Sequence, residues 1–534
     1  MNLVWKFRSK FYIDTTMKKT LYSILSLLGI FFTSCDMNME PHGVLREENA
    51  IEKPSDCLNF RNGVYSSLRN ATAGSVISVP SIQMDEFFGT TINGNRIGLI
   101  SNGQIYSNDN SAESLFSVLY AYINNTCYFL EKAPALLENE DLTAEERIAI
   151  SRYIGEVEFA QSYYYYVLVD RYCNSWGNVD PTAPATGVQL VAKYDPTGDR
   201  SKYPGRSTLA ESFKVIEDGL ADALVRIEEY VETIDRSTPN GETEYLSVAG
   251  PMAIYVGPMT IKALQCRVAL LKNDYKAAHD IADDIIKNGG YTLSGITSYS
   301  AMWTDDNNNE IIFMPYASLS ESAPTTGSAW ISPSLRQTDY IPTAYVAQEL
   351  YTRFDVRNKS FIGSRTININ GSDLTVPAFV KFPGNPALNA NPSTNALQNR
   401  PKPFRLSEIY LILAEASYEL SLYSEANAAL TTLRNNRINR YQSVEYSGTE
   451  LRDEIRLERQ RELIGEGFRM SDLRRWGLGF NRTSTDYTDP NVVNAIVKAG
   501  LISYPEGDHR FVWPIPATEL RNNPQVASQQ NPGY

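Results

Sequence analysis

Hydrophobic positions recur at three- and four-residue steps along much of this chain, and the spacing predicts helices. Between residues 403 and 476 the pattern is densest. Leu406, Ile409, Tyr410, Leu413, Ala416 and Leu420 form one stripe; after a few residues around Leu422, a second runs through Tyr423, Ala426, Leu430 and Leu433. Stripes of this period are the buried faces of helices, and so short a linker makes the two an antiparallel hairpin. From Leu451 to Ile464 nearly every second residue is charged. Glu458 with Arg461, and Arg459 with Glu462, stand three apart and predict ion pairs on a helix surface, which Gly465 and Gly467 then stop.

Upstream, Leu58, Val64, Tyr65 and Leu68 mark a first helix, after which residues 71–111 lose helical periodicity and read as irregular structure. Within them Asp85, Glu86, Phe87 and Phe88 set two carboxylates beside two rings. Helical patterning returns over 112–137. It resumes over 144–172 behind Thr143 as N-cap, with Glu146 three residues on. The end of this helix, AQSYYYYVLVDRY, sets four consecutive tyrosines around the axis, some to be buried and some to face a partner. Phe213, Ile216, Leu220, Leu224 and Ile227 predict a helix over 207–231 with Ser207 as its cap.

A second hairpin spans 259–288 and repeats the first. Tyr275 and Tyr423, Ala278 and Ala426, Ala282 and Leu430, and Ile285 and Leu433 are each 148 residues apart. A helix, a short turn and a Tyr-x-x-Ala helix make a tetratricopeptide-like pair, which buries its faces only by stacking on another. The two copies must therefore meet in space. Between them, residues 291–402 are the least helical of the chain: one strand-like run, EIIFMPY, then loops carrying Trp303, Tyr316, Trp330, Tyr340 and Phe354. Loops this long and this aromatic are functional rather than disordered.

At the N-terminal end MKKTLYSILSLLGIFFTSC has two lysines, an apolar run and small residues before Cys35. That is a secretory signal peptide over 17–34, too short to span a membrane, with residues 1–16 reading as upstream of a mis-set start codon. Thr33 and Ser34 before Cys35 resemble a bacterial lipobox, with Phe32 where leucine is usual. An acylated Cys35 anchors through about 0.8 kcal/mol per buried methylene, leaving 35–54 as tether and 55–534 as a single domain.

The formal charge is −13. Such a balance excludes nucleic acid as a partner and anionic lipid bound by charge alone. The three histidines, His42, His279 and His509, are scattered without metal or catalytic spacing. Five cysteines without a CxxC announce no disulfide framework; Cys57, Cys127 and Cys266 fall in apolar helical patterns as small hydrophobes. The acidic pairs Asp305 with Asp306 and Asp283 with Asp284 are adjacent in sequence and read as solvated. No catalytic residue, metal or cofactor is predicted. The aromatic loops suit recognition instead, since a flat ring stacks on the apolar face of a pyranose while nearby polar groups bond its hydroxyls. Trp303 and Trp330 lead the candidates, followed by Tyr316, Asp85 and Phe87.

Two stretches go beyond periodicity. One is ERQREL..EG.R..DL.RWG behind the AEA-containing hairpin. The other is the ending FVWPIPATELRNNPQVASQQNPGY, with Pro514, Pro516, Glu519, Asn523, Pro524, Gln530, Asn531, Pro532, Gly533 and Tyr534. In this order they resemble the SusD/RagB family, outer-membrane lipoproteins of nutrient-uptake systems. The resemblance covers nearly the whole mature chain and departs at CNSWGNVDPTAP (173–184), where the family usually has an FGxxP-like loop. It implies a mainly α fold of about four tetratricopeptide-like pairs, with an irregular, loop-rich, ligand-facing subdomain and a few short strands. It implies a SusC-like TonB-dependent transporter as partner, contacted by the helical repeats, and a position on the outer membrane facing outward. The function it implies is non-catalytic capture of oligo- or polysaccharide for import. A peptide-binding RagB-like subunit and a surface-anchored glycan hydrolase are the alternatives.

Overall fold

The helix cap expected at Thr143 forms. Thr143 Oγ1 accepts from the Glu146 amide at 3.2 Å while the Glu146 carboxylate accepts from the Thr143 amide at 2.9 Å, so two otherwise orphaned donors are satisfied reciprocally. At the helix expected from Ser207, Thr208 is the cap instead, paired in the same way with Glu211. Ser207 turns inward and donates to the Val188 carbonyl at 2.8 Å. The structure, a computed structural model, describes residues 50–534 except 95, 333–336, 370 and 392–395. The signal segment, Cys35 and nearly all of the tether lie outside the described residues.

The chain runs through α1 (Pro54–Ala71), α2 (Ser75–Gln83), α3 (Asn110–Leu136), α4 (Ala144–Tyr172), α5 (Leu209–Glu232) and α6 (Pro239–Ala249). It continues through α7 (Pro258–Leu271), α8 (Tyr275–Asn288), α9 (Leu406–Glu419), α10 (Tyr423–Asn435), α11 (Gly448–Leu463) and α12 (Arg469–Arg475). The strands among the described residues make two-stranded antiparallel sheets. β1 (Phe87–Gly89) pairs with β3 (Tyr340–Pro342), and β2 (Ile311–Phe313) with β6 (Phe404–Arg405). β4 (Ile362–Ile369) pairs with β5 (Ser372–Phe379), and β7 (Phe480–Arg482) with β8 (Ile502–Tyr504). The β2–β6 pair ties the start of the long insert to its end, directly before α9.

The two repeats meet. α8 packs along α9, Arg267 of α7 grips Glu408 of α9 at 2.7 and 2.6 Å, and His279 of α8 reaches Glu425 of α10 at 3.0 Å. Their turns repeat as well: Asn273 (φ 58°) and Ser421 (φ 63°) both adopt the left-handed conformation, again 148 residues apart. The fold is mainly α, built of tetratricopeptide-like helical pairs. No helix among the described residues is long and apolar enough to cross a membrane.

Four expectations change on folding. Residues 75–83 are helical, and seven of the nine are buried; a helix enclosed on every side has no polar face to create a period. Tyr163, Tyr164, Tyr165 and Tyr166 are all buried, because α1, α3 and α5 all pack on α4 and leave no tyrosine for a partner. The charged helix α11 is not solvated either. Glu458, Arg459 and Glu462 are buried, and Glu462 receives Arg405 at 2.8 Å, Arg437 at 2.9 Å and Arg357 at 3.1 Å. Asp306, expected at the surface, is buried with Lys402 at 2.6 Å. Buried charges persist only when paired and hydrogen-bonded, and here the partners come from the distant 355–357, 381, 402–405 and 434–437 segments.

Candidate functional site

The insert that was expected to face a ligand sends its largest rings inward. Trp303 is 2% exposed and Trp330 0%, and Phe87 of β1, also 0%, packs with them. Phe87 and Trp330 lie 5.5 Å apart, both 5.0 Å from Phe379, and Phe382 lies 5.6 Å from Trp303 and 5.7 Å from Trp330. Burying an aromatic ring removes 150–250 Å² from water, and in a segment with so little regular structure these rings are the available core. Trp303, Trp330 and Phe87 therefore offer no face for stacking on a ligand. Asp85 is held by Arg469 through bonds of 2.8 and 2.6 Å; burial works against its charge, yet that guanidinium keeps the carboxyl below its usual range. Of the candidates only Tyr316 has an exposed ring.

A groove opens at a stretch without hydrophobic period. It is formed of two adjoining hollows of about 470 and 200 Å³ that share Ser75, Arg96 and Ile97 in their walls. One side is α3, contributing Ser111, Ser114, Val118 and Tyr122; the floor includes Ser75 and Val79 of α2 and the ring of Trp513; the far wall is Thr325, Thr326 and Ser328. Arg96 crosses between the walls, donating to the Ser328 carbonyl at 2.8 Å and pairing with buried Asp339. The Gly74 amide donates to Thr326 Oγ1 at 3.2 Å, fixing the start of α2 against the same wall.

Two exposed tyrosines stand on segments that join the groove walls through backbone contacts. Tyr106, 55% exposed, offers its carbonyl to the Asp109 amide at 2.9 Å, and Asp109 caps α3 by accepting from Ser111 at 2.9 Å. The Tyr316 carbonyl accepts from Arg69, whose neighbours Asn70 and Ala71 line the groove. Behind the loop that bears Arg96, buried Arg482 donates to the carbonyls of Ile82 (3.3 Å), Phe87 and Ser101 (2.5 Å). One guanidinium thus staples both ends of that loop, and burial pushes it down to about 10. The groove lining presents aliphatic side chains such as Val76, Val79, Ile97 and Leu115 together with hydroxyls, amides, tyrosine rings and one guanidinium, and no carboxylate among the described residues.

Sequence reasoning missed Arg96, Tyr106, Tyr122 and the serine hydroxyls. A run of Asn, Gly and Ser gives no pattern, and only the packing of α2 against α3 and the 325–329 segment gathers them. The available signal was Tyr106, a loop aromatic left outside any helical stripe.

Residues 290–534 match the family model described as the SusD family. Over these residues the chain is similar to that family. A search of curated proteins returned no match. Among solved structures, a SusD superfamily protein from Bacteroides thetaiotaomicron VPI-5482 is similar at TM-score 0.72 and 22% identity, covering 90% of this chain and 100% of that one. A SusD superfamily protein from Bacteroides vulgatus ATCC 8482 reaches 0.70 at 21% identity, covering 91% and 100%. A SusD-like carbohydrate binding protein from the same organism reaches 0.65 at 16%, covering 90% and 98%. At these identities the likeness is one of fold, and it extends upstream of the family match to α1–α8.

Proposed function

We propose that this SusD-like chain is a non-catalytic surface subunit that captures oligo- or polysaccharide in the α2–α3 groove and passes it to a SusC-like TonB-dependent transporter. Acylated Cys35 tethers it to the outer membrane. The observation that carries the reading is the groove lining: hydroxyls, amides and rings suit sugar hydroxyls and pyranose faces. Glycoside hydrolysis needs two carboxylates flanking the bond, and none lines the groove. A structural relative described as carbohydrate binding supports the ligand class. Exposed Tyr106 and Tyr316, on segments joined to the groove walls, supply the stacking faces, and Arg96 bonds ring hydroxyls.

The test uses residues 36–534 in affinity electrophoresis through polysaccharide gels, with product analysis of the same mixtures. Retardation without product release is expected, weakened at least tenfold by Arg96→Ala or Tyr106→Ala. Release of shortened oligosaccharides would assign a hydrolase. Binding of oligopeptides in place of any glycan would assign the peptide-capturing alternative. The transporter is tested by whether the acylated chain co-purifies with an outer-membrane barrel.

A further inference from the structure

Helix α3 has hollows on two sides. Ser111, Ser114, Leu115, Val118, Leu119 and Tyr122 line the groove, whereas Phe116, Ser117, Tyr120 and Asn124 line a second cleft of about 520 Å³. At 3.6 residues per turn the two sets centre roughly 180° apart around the helix. The second cleft is closed by the 189–204 segment and by Glu519 and Asn523 near the C-terminus.

Its frame is held by a chain of hydrogen bonds. The Tyr120 hydroxyl donates to the Gln189 carbonyl and lies 3.0 Å from Gln189 Oε1 as well. Gln189 Nε2 donates to Glu519 Oε1 at 3.2 Å, and Asn523 Nδ2 donates to the same oxygen and to the Pro204 carbonyl, both at 2.9 Å. Around this frame, Asn124, Lys193 and Lys202 are exposed and the rings of Tyr120 and Tyr203 line the wall. Rings beside amide, amine and carboxylate groups are again the chemistry that holds a sugar by its apolar face and its hydroxyls, in a volume within the roughly 300–1,000 Å³ of small-molecule sites. The solvent-facing ridge of α3 between the two hollows carries Ser114, Ser117, Val118, Ala121 and Asn125, all exposed. A chain crossing it meets no bulky side chain.

The geometry points to a second glycan cleft on the far face of α3, so that one polysaccharide chain lies in the groove, crosses the ridge and enters this cleft. The inference rests on the groove reading above and adds selection for polymer length. Two linked sites raise avidity by about 10²–10⁴ over one without any new contact, so long chains are retained and short products are not.

The experiment compares the wild-type chain with Asn124→Ala/Lys202→Ala in the second cleft and Ala121→Trp on the ridge, all at exposed positions and each checked for folding by circular dichroism. The probes are gels of amylopectin, arabinoxylan, galactomannan and pectic galactan, and the trisaccharide from whichever polymer retards the wild-type chain. Both variants are expected to lose at least tenfold in polymer affinity, while Ala121→Trp binds the trisaccharide with the wild-type dissociation constant. In calorimetry the trisaccharide titrates two sites per wild-type chain and one per double variant. Unchanged polymer affinity in both variants overturns the second cleft and leaves the groove reading standing. A wild-type chain retarded by none of the four polymers, or groove variants retarded as strongly as the wild type, overturns the groove reading and this inference with it.

Discussion

Glu86 is a carboxyl that folding makes hard to ionise. It is buried beside Asp85, and burial followed by the charge of Asp85 pushes it up to about 8 from the 4.5 of a free glutamate. The folded chain thus holds a proton that the unfolded chain has released, so this group makes stability fall as pH rises from about 4.5 through 8. Each unit of difference corresponds to about 1.4 kcal/mol. Glu86→Gln keeps the shape and removes the charge; its melting temperature should exceed the wild type's at pH 8 and converge with it at pH 5. Equal melting curves at pH 8 would show that Glu86 is not held neutral. Buried Glu458 runs the other way. Burial alone would raise it, but Arg357 and Arg434 bring it down to about 2. At Glu462, Glu462→Ala takes one carboxylate from each of Arg357, Arg405 and Arg437, which keep Asp355, Glu466 and Glu310, and should cost about 3–5 kcal/mol in chemical denaturation, the range for breaking a buried pair. Trp330→Ala should cost a similar amount, about 3–5 kcal/mol, through the cavity left among Phe87, Phe379 and Phe382. A fully stable Trp330→Ala chain would contradict its place in the core.

At the scale of elements, α2 decides whether there is a groove at all. It is short and nearly all buried, and it is held by residues far from it in sequence: Arg482 at its C-terminal end, Thr326 at its start, and the turn after α11 against its side. That turn depends on Gly467, which has φ +87°; a Cβ there would come within 3.0 Å of the Ile77 Cα. Its amide donates to Ser81 Oγ at 3.0 Å. Gly467→Ala forces both a strained backbone and a backbone clash, for which about 1–3 kcal/mol is typical of the strain alone. The expected result is faster hydrogen exchange over 75–83 together with weaker ligand retention. Loss of stability with unchanged exchange in α2 would place the effect elsewhere. The paired hairpins α7–α8 and α9–α10 show the opposite case. Their 148-residue repeat was plain in the sequence because the second helix of each, α8 and α10, exposes one face and buries the other, and amphipathic helices record their environment in their spacing.

Over the whole molecule, residues Ile51–Tyr534 form one compact unit. A chain beginning at residue 51 should therefore unfold in a single cooperative transition with a melting temperature within about 2 °C of the longer chain's, as scanning calorimetry would show; a difference of 1 kcal/mol in a domain this large moves the midpoint by no more than a few degrees. The SusD-type ending is legible for a related reason. Asn531 donates from Nδ2 to the carbonyls of Tyr172 (2.8 Å) and Trp513 (2.7 Å), and the Tyr534 hydroxyl donates to Val512 at 3.0 Å. The terminal residues close over the end of α4 through specific side-chain bonds, which leaves a recognisable string of letters. By itself the sequence determined the amphipathic helices, the Thr143 cap, the stacked repeat and a family resemblance, because periodicity and capping are local and depend only on a residue's near neighbours. Tertiary structure alone decided which polar residues are inside, which rings are core and where a ligand fits. Burial of Trp303, Trp330 and Glu462, and the pairing of Arg96 with Ser328, are set by partners tens to hundreds of residues away or by loops without a period. No local rule carries that information.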